Sequence, residues 1–472
     1  MQIKQVLERS GIDFGTSGAR GLVEDLTDEV CAAFTAAFLL VMSEEAPVRR
    51  LAIGRDLRPG SPRMVAACTA AARAMGIAVD DYGALPTPAL ALQAMADGVP
   101  AIMITGSHIP FDRNGIKFYR PDGEITKADE QAIMAVDKAM PVLGEVVQQA
   151  EDARAAETYK ARYLDWFAGQ PLKGLRIGLY QHSAAGRDLN HDVLEALGAD
   201  VVVLGRSDSF VPVDTEAVSD EDRAKGRDWS ATHSLDAILT TDGDGDRPLL
   251  ADEQGNWLRG DIVGLLCARE LGVQALAVPV SCNTAIENSD AFAEVLRTRI
   301  GSPYVLAGME QLADRYKRVA GFEANGGFLL GSAIEKEGRL LEALPTRDAL
   351  LPALTLMVSA ARANKTLSQL VADLPARYTA SDRLKDFPRA RSQSLLALWQ
   401  RDLAVMQRDL GLESAIKTVD TTDGLRVTLD NGEIVHLRPS GNAPELRCYA
   451  EAESEPRAVE LVQGVLRNVF YK

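Results

Sequence analysis

Short apolar runs alternate with alanine-rich helical stretches along most of the chain. Runs over 51–54, 77–82, 101–104 and 116–119 read as strands, and the stretches 30–42, 64–75 and 86–95 carry helical spacing. The alternation resumes after a polar segment, 141–158, where a domain boundary is expected. Strands are predicted over 175–180, 201–204, 235–239 and 275–280, and helices over 188–197, 261–271 and 290–296. Thr126, with Asp129 three residues on, predicts a capped helix to about residue 139, and Asp261 is the expected cap of its helix. The mixed acidic stretch 218–228 reads as a surface segment, Arg315 to Arg318 as a basic helix end, and Gly301-Ser302-Pro303 as the start of a loop. This βα alternation predicts largely parallel sheets with covered faces. Beyond Pro375 the pattern changes. Runs over 425–429 and 433–437 flank Asn431-Gly432 and predict a hairpin, followed by a strand over 445–452 and a helix over 457–469. That last unit is α+β.

Length and charge narrow the picture. A chain of 472 residues exceeds one core, so about three or four domains are expected. A net charge of −16 argues against nucleic acid as a partner. The five cysteines are odd in number and scattered without a CxxC, so neither a disulfide framework nor a zinc site is indicated and a reducing, cytoplasmic setting is expected. The opening residues lack the apolar core of a signal peptide, and the apolar stretch 32–42 is too short to span a bilayer.

The chemistry concentrates in loops. The strand 101–104 delivers Thr105-Gly106-Ser107-His108-Ile109-Pro110, placing Ser107 at a strand's C-terminal end, where open α/β sheets bind ligands. A serine beside a histidine can be a nucleophile beside a proton acceptor, although this stretch taken alone reads first as a solvated turn. Lys117 follows near the start of the returning strand. The strand 235–239 delivers Asp242-Gly243-Asp244-Gly245-Asp246-Arg247, a spacing that can turn three carboxylates toward one hard cation. An EF-hand is excluded, because Arg247 and Pro248 fill its sixth and seventh positions and a strand precedes the loop. Mg²⁺ is the expected ion. Near the start, Phe14-Gly15-Thr16-Ser17-Gly18-Ala19-Arg20-Gly21 offers backbone N–H groups and a guanidinium to an anion.

Taken together these stretches resemble the signatures of the α-D-phosphohexomutases. Thr105 to Pro110, with Asn114-Gly115-Ile116-Lys117, is similar to their phosphoserine loop, and Asp242 to Arg247 to their magnesium loop. Phe14 to Gly21 resembles their N-terminal signature. Gly321-Phe322-Glu323-Ala324-Asn325-Gly326-Gly327 resembles the sugar-binding loop, and Arg438-Pro439-Ser440-Gly441-Asn442-Ala443-Pro444-Glu445-Leu446-Arg447 the phosphate-binding loop. Five motifs in family order cover essentially the whole chain, and the likeness is to the bacterial phosphomannomutase branch.

The resemblance implies three related α/β domains with mixed sheets around a central cleft (1–150, 151–257, 258–370) and a fourth α+β domain (371–472). It implies reversible phosphate transfer between the 6- and 1-hydroxyls of a hexose phosphate, through phosphoserine and a bisphosphate. Mannose phosphate is the expected substrate, and glucose or glucosamine phosphate the alternatives. A noncatalytic sugar-phosphate-binding protein is the reading of a different class. Ser107, His108, Lys117, Arg20 and Arg247 are the implied catalytic residues. Glu323, Asn325, Arg438, Ser440, Gly441, Asn442 and Arg447 are the implied substrate contacts. Ser107 with Asp242, Asp244 and Asp246 is the implied metal site, holding one Mg²⁺, with a hexose 1,6-bisphosphate as activator. No membrane or nucleic-acid partner is implied, and the assembly is a monomer or homodimer. Several positions depart from the family pattern: Ile109, Ser281, Ser302, the Glu-Ala-Asn core of the sugar loop, and Asn442-Ala443.

Overall fold

In the computed structural model, residues 1–15, 18–144, 150–440 and 444–471 are described. The chain forms a multi-domain α/β fold built on four main sheets. The first orders its strands Asp13–Phe14, Ala19–Leu22, Arg113–Arg120, Ala101–Ile104, Arg50–Arg55 and Ala78–Ala84, with Gly123–Glu124 paired to Arg113–Arg120. The second orders Pro248–Ala251, Ala237–Thr241, Arg176–Tyr180 and Asp200–Leu204. The third orders Glu294–Thr298, Ala275–Pro279, Val319–Phe322, Phe328–Leu330 and Leu344–Asp348.

These sheets are mixed rather than largely parallel, and one motif accounts for it in all three. A parallel strand runs to its C-terminal end, makes a short loop, and returns antiparallel beside itself. Ala101–Ile104 returns as Arg113–Arg120, Ala237–Thr241 as Pro248–Ala251, and Val319–Phe322 as Phe328–Leu330. The three loops so formed are the serine, triple-aspartate and Glu-Ala-Asn loops. This internal repeat is invisible in the residues themselves.

The fourth sheet is antiparallel throughout, ordered Tyr378–Leu384, Leu446–Ala452, Ile434–Pro439, Leu425–Leu429 and Ile416–Asp420. It has a core of its own, in which Trp399, Met406, Leu437 and Val465 meet. A continuous core instead runs through the first three units, from Leu90 and Met103 through Tyr163 and Leu239 to Phe322 and Leu354.

Several local expectations need correction. The segment 218–228 does lie at the surface, but all of it from Asp220 on is a helix, Asp220–His233, whose buried stripe is Asp222, Gly226 and Ser230. A helix that buries small and polar residues leaves no apolar period to read. The stretch 290–296 is not helical: a single turn, Ala285–Asn288, is followed by the strand Glu294–Thr298, which pairs in parallel with Ala275–Pro279. Strand pairing here overrides the helical preference of its Ala and Glu residues. Gly301-Ser302-Pro303 opens a helix, Ser302–Ala313, with proline in the first turn where its missing N–H costs nothing. That helix ends before the basic run at Arg315 to Arg318. The helix after Thr126 stops at Ala135, although its Thr126–Asp129 capping box is present. Asp261 lies inside the helix Gly260–Glu270, and its carboxylate instead accepts from the Asn283 amide N–H at 2.9 Å. All five cysteines are free and buried. Among the described residues no helix is long and apolar enough to cross a membrane.

One buried carboxylate ties the helix Arg154–Phe167 to the third sheet. Asp348 Oδ1 accepts from the Tyr159 hydroxyl at 2.6 Å and from the Leu350 N–H at 2.9 Å, and Tyr163 donates to Oδ2. Asp348→Ala is expected to lower unfolding stability by about 3 kcal/mol or more, because it orphans buried donors. Tyr159→Phe is expected to cost about 1 kcal/mol. Urea unfolding followed by circular dichroism checks both.

Candidate active site

Ser107 is fully buried, not an exposed loop residue, and its backbone is left-handed at φ +52. A non-glycine residue there costs about 1–3 kcal/mol unless its surroundings over-determine it. Arg58 supplies that constraint. Its Nη2 donates to the Ser107 and Ile109 carbonyls at 2.9 and 2.6 Å, and its Nη1 to Pro110 and Arg113 at 2.8 and 2.9 Å. Its Nε donates to Asp56 Oδ2 at 3.2 Å, and the same oxygen accepts from the Gly106 N–H. The guanidinium face lies 3.8 Å from the ring centroid of Phe210, which the second unit contributes. Gly106 is required for this approach, since a Cβ there would fall 2.5 Å from Arg58 Cζ. In the sequence, Arg58 is only one more residue of a proline-flanked loop.

The triple-aspartate loop closes onto the serine. The Ser107 hydroxyl donates to Asp242 Oδ2 at 2.6 Å. Gly243 passes so close that a Cβ would meet the Ser107 carbonyl at 2.8 Å. Lys117 Nζ donates to Asp244 Oδ2 at 2.6 Å and Asp246 Oδ2 at 2.7 Å. Lys117 is therefore mid-strand and 2 % exposed, which rules out a solvent-facing lysine. Thr87, at the start of the helix Thr87–Asp97, also donates to Asp244 Oδ2, at 2.7 Å. Arg347, from the third sheet, donates to Asp246 Oδ2 through Nε at 3.1 Å.

This leaves a pattern in the carboxylates. The Oδ2 atoms of Asp244 and Asp246 are crowded with donors, while their buried Oδ1 atoms have no hydrogen-bond partner. One carboxylate oxygen from each of Asp242, Asp244 and Asp246 lies within 4.8 Å of the others. Buried acceptors left unpaired are costly, and three hard oxygen donors converging this closely fit a small divalent cation. Burial and the charges of Asp244 and Asp246 push the Asp242 carboxyl well above the usual range. Burial acts the same way on Asp244 and Asp246. It is outweighed at Asp244 by Lys117, and at Asp246 by Arg347 and Lys117, so both titrate below the usual range.

Cations ring this centre. Arg247 Nη1 lies 2.8 Å from His108 Nδ1. A guanidinium has no acceptor, so Nδ1 accepts and the imidazole is neutral. Burial and the Arg247 charge push the His108 pKa down to about 3. The same ring nitrogen is 3.3 Å from Ser107 Oγ. Burial and Arg247 lower the Arg20 pKa to about 10. Thr16 and Ser17, of the N-terminal signature, lie outside the described residues.

The Glu-Ala-Asn loop joins from the third sheet. Glu323 Oε2 accepts from Arg347 Nη1 at 3.3 Å, so Arg347 bridges the sugar-type and metal-type loops. Asn325 Oδ1 accepts from the Gly327 N–H at 3.0 Å, and its amide is turned toward Glu323 at 3.5 Å. Its polar atoms therefore brace the loop. Arg438 and Arg447 are directly opposed across neighbouring strands of the fourth sheet, and Arg383 opposes Arg447 on the other side. Ser440 is buried and its N–H donates to the Glu445 carbonyl. Gly441 and Asn442 lie outside the described residues. Burial and Asp214 raise the Glu216 pKa, and Arg259 of the third unit and Arg447 of the fourth oppose the rise. Arg58, Thr87, Arg347 and Glu216 carry no local motif. Each becomes visible only through a partner distant in sequence.

Three family models match this chain. They are the phosphoglucomutase/phosphomannomutase alpha/beta/alpha domain I over residues 11–139, domain III over 259–378, and the C-terminal domain over 368–467. A phosphomannomutase of Salmonella muenchen is 55% identical over 468 residues, covering 99% of this chain and 97% of that protein. The chain belongs to the phosphoglucomutase/phosphomannomutase family. A phosphomannomutase of Sinorhizobium fredii is 45% identical, covering 96% of this chain and 98% of its own. The fold agrees with that of a phosphoglucomutase/phosphomannomutase family protein of Burkholderia thailandensis. It has a TM-score of 0.75 at 21% identity and covers 96% of each chain. Membership in the phosphoglucomutase/phosphomannomutase family makes this chain a phosphohexomutase of phosphomannomutase type, an intramolecular phosphotransferase.

Two outcomes are expected for this family member. Arg58→Lys, which cannot span four carbonyls with a planar fork, should lower kcat about a hundredfold while leaving KM within about threefold. Steady-state kinetics with a hexose phosphate measures it. With Ser107 unphosphorylated, the His108 ring should remain neutral between pH 5 and 8, since its pKa is pushed down to about 3. Nitrogen-detected NMR of the imidazole should show no titration step in that window.

Proposed function

We propose that the protein interconverts mannose 6-phosphate and mannose 1-phosphate, with Ser107 carrying the phosphoryl group. The observation that carries this reading is the buried Ser107 hydroxyl 2.6 Å from Asp242, inside a cluster whose Asp244 and Asp246 each keep one oxygen without a hydrogen-bond partner. Both near-full-length relatives named above are phosphomannomutases.

Asp242, Asp244 and Asp246 would hold one Mg²⁺ together with an oxygen of the Ser107 phosphate, and when bound the ion supplies charge that draws electrons from the transferring group. The free hydroxyl of the sugar phosphate attacks the phosphorus on Ser107. The bond from phosphorus to Ser107 Oγ breaks, leaving a hexose 1,6-bisphosphate and a free serine. Between the candidates for proton transfer, His108 is a neutral imidazole beside Ser107 Oγ, while Lys117 is committed to two carboxylates. The proton of the attacking hydroxyl passes to Ser107 Oγ as the bond to phosphorus breaks, with His108 and Lys117 the candidates to relay it, and Arg20 and Arg247 balance the charge of the phosphoryl oxygens. After the bisphosphate turns round, Ser107 takes the other phosphate.

Glu323 is assigned to the sugar hydroxyls, with Asn325 shaping its loop. Arg438, Ser440, Gly441, Asn442 and Arg447 are assigned to the phosphate that is not reacting. Four domains, 1–150, 151–257, 258–370 and 371–472, carry these parts. The bisphosphate is the proposed activator, because it reloads a dephosphorylated Ser107. The proposed setting is the cytoplasm, supported by five buried free thiols, and the proposed state is a monomer or homodimer without nucleic-acid partners.

Ser107→Ala should abolish turnover without unfolding the chain, and intact mass should show one phosphate on the wild type and none on the variant. Full activity in the variant would end the covalent reading. Asp244→Asn should weaken Mg²⁺ binding at least about tenfold, as measured by calorimetry. A coupled assay against mannose, glucose and glucosamine 1-phosphates, each primed with its bisphosphate, ranks the sugars. A clear preference for either of the latter two would overturn the mannose assignment alone.

A further inference from the structure

The fourth unit meets the third at a turn, residues 421–424, between the strands Ile416–Asp420 and Leu425–Leu429. The Thr422 carbonyl accepts from Arg299 Nε at 3.2 Å. Asp423 Oδ2 accepts from the Ile300 N–H at 3.0 Å, and the same oxygen accepts from Arg438 Nε at 2.8 Å. The Asp423 carbonyl in turn accepts from His436 Nε2 at 2.6 Å. A carboxylate oxygen thus joins a backbone N–H of one unit to a guanidinium of another.

The geometry is selective. Arg438 is held by Nε, the inner nitrogen of its fork, which leaves the outer pair to face an anion bidentately. Both side chains keep 18% exposure, so the pair is not sealed from solvent. The segment that Asp423 grips is itself held from the far side. Ser302, two residues beyond Ile300, donates to Glu124 Oε2 of the first sheet at 2.6 Å, and Thr346 donates to Oε1 of the same carboxylate at 2.9 Å. A run of polar contacts therefore passes from the first sheet, through residues 299–302, to Arg438.

We propose that Asp423 is a positioning residue for substrate phosphate: it aims the Arg438 guanidinium and makes that aim depend on the docking of the fourth unit against Ile300. This rests on the assignment of Arg438 to the nonreacting phosphate. Asp423 does not touch the substrate. It acts by fixing a guanidinium that otherwise sweeps several rotamers, and the Ile300 N–H fixes the carboxylate itself only while the fourth unit is docked. Grip on the phosphate and closure of the unit then occur together, and the bisphosphate is held while it is transferred and freed when the unit opens.

The test compares Asp423→Ala, Asp423→Asn, Arg438→Ala and the double alanine variant by steady-state kinetics, thermal unfolding and the amount of bisphosphate released per turnover. Asp423→Ala should raise KM for the hexose phosphate about tenfold with kcat changed less than about threefold, and should release more bisphosphate. The double variant should be no worse than Arg438→Ala, because both act through one guanidinium. Asp423→Asn, which keeps an acceptor for Ile300 but loses the charge, should match wild type in thermal midpoint and still show the raised KM. If Arg438→Ala raises KM and Asp423→Ala does not, or if the two effects add, the positioning role is wrong. If Arg438→Ala itself leaves KM unchanged, the assignment of Arg438 to phosphate falls first. Loss of activity that only tracks loss of folded Asp423→Ala protein, at unchanged KM, makes the residue structural and overturns the proposal.

Discussion

Three carboxylates buried within 4.8 Å of one another must be compensated, and much of this molecule answers that requirement. The compensating cations come from different parts of the chain. Lys117 comes from the first sheet, Arg247 from the loop itself, and Arg347 from the third sheet. Removing one partner of a buried pair typically costs about 3–5 kcal/mol, because the other charge is stranded. The first three units therefore have to be held in fixed relation for the cluster to exist. The apolar core that runs through all of them meets that condition.

The same cluster explains the division of labour among the carboxylate oxygens. Donors crowd the Oδ2 atoms of Asp244 and Asp246 and set each carboxylate's rotation, and the opposite oxygens are left without a hydrogen-bond partner. Ser107 is brought to this point by a different device. Arg58 binds the carbonyls of its loop and stacks on Phe210 of the second unit, so the strained backbone of the serine and the seam between two units are stabilised together. The repeated strand–loop–antiparallel-strand motif puts all three chemical loops at the same end of their sheets, where they can meet.

The fourth unit is built on another principle. It has its own core, and its contacts with the third unit include polar ones such as Asn283 with Thr379, Thr284 with Glu451, and Asp423 with Ile300. Polar contacts of this kind exchange readily with water, so a unit held by them opens at lower cost than one sharing an apolar core. The first three units share one apolar core, and the fourth keeps its own.

The sequence by itself determined the local chemistry: which serine ends a buried strand, which aspartates alternate with glycines, and which strands and helices carry an apolar period. These are short-range properties, written in spacing and in residue size. The helix Asp220–His233 stayed hidden because its buried stripe is small and polar, and the strand Glu294–Thr298 because its conformation is set by pairing with a neighbour. Only the tertiary structure decided which cation answers which carboxylate. Arg347 meets Asp246 across 101 residues, and Lys117 meets Asp244 across 127. It also turned Asn325 inward to brace its own loop, and made Arg58 the clamp on Ser107. A charge has no periodicity, and its partner is whatever the fold brings within 3 Å or so. Such pairings exist only once the sheets have been stacked.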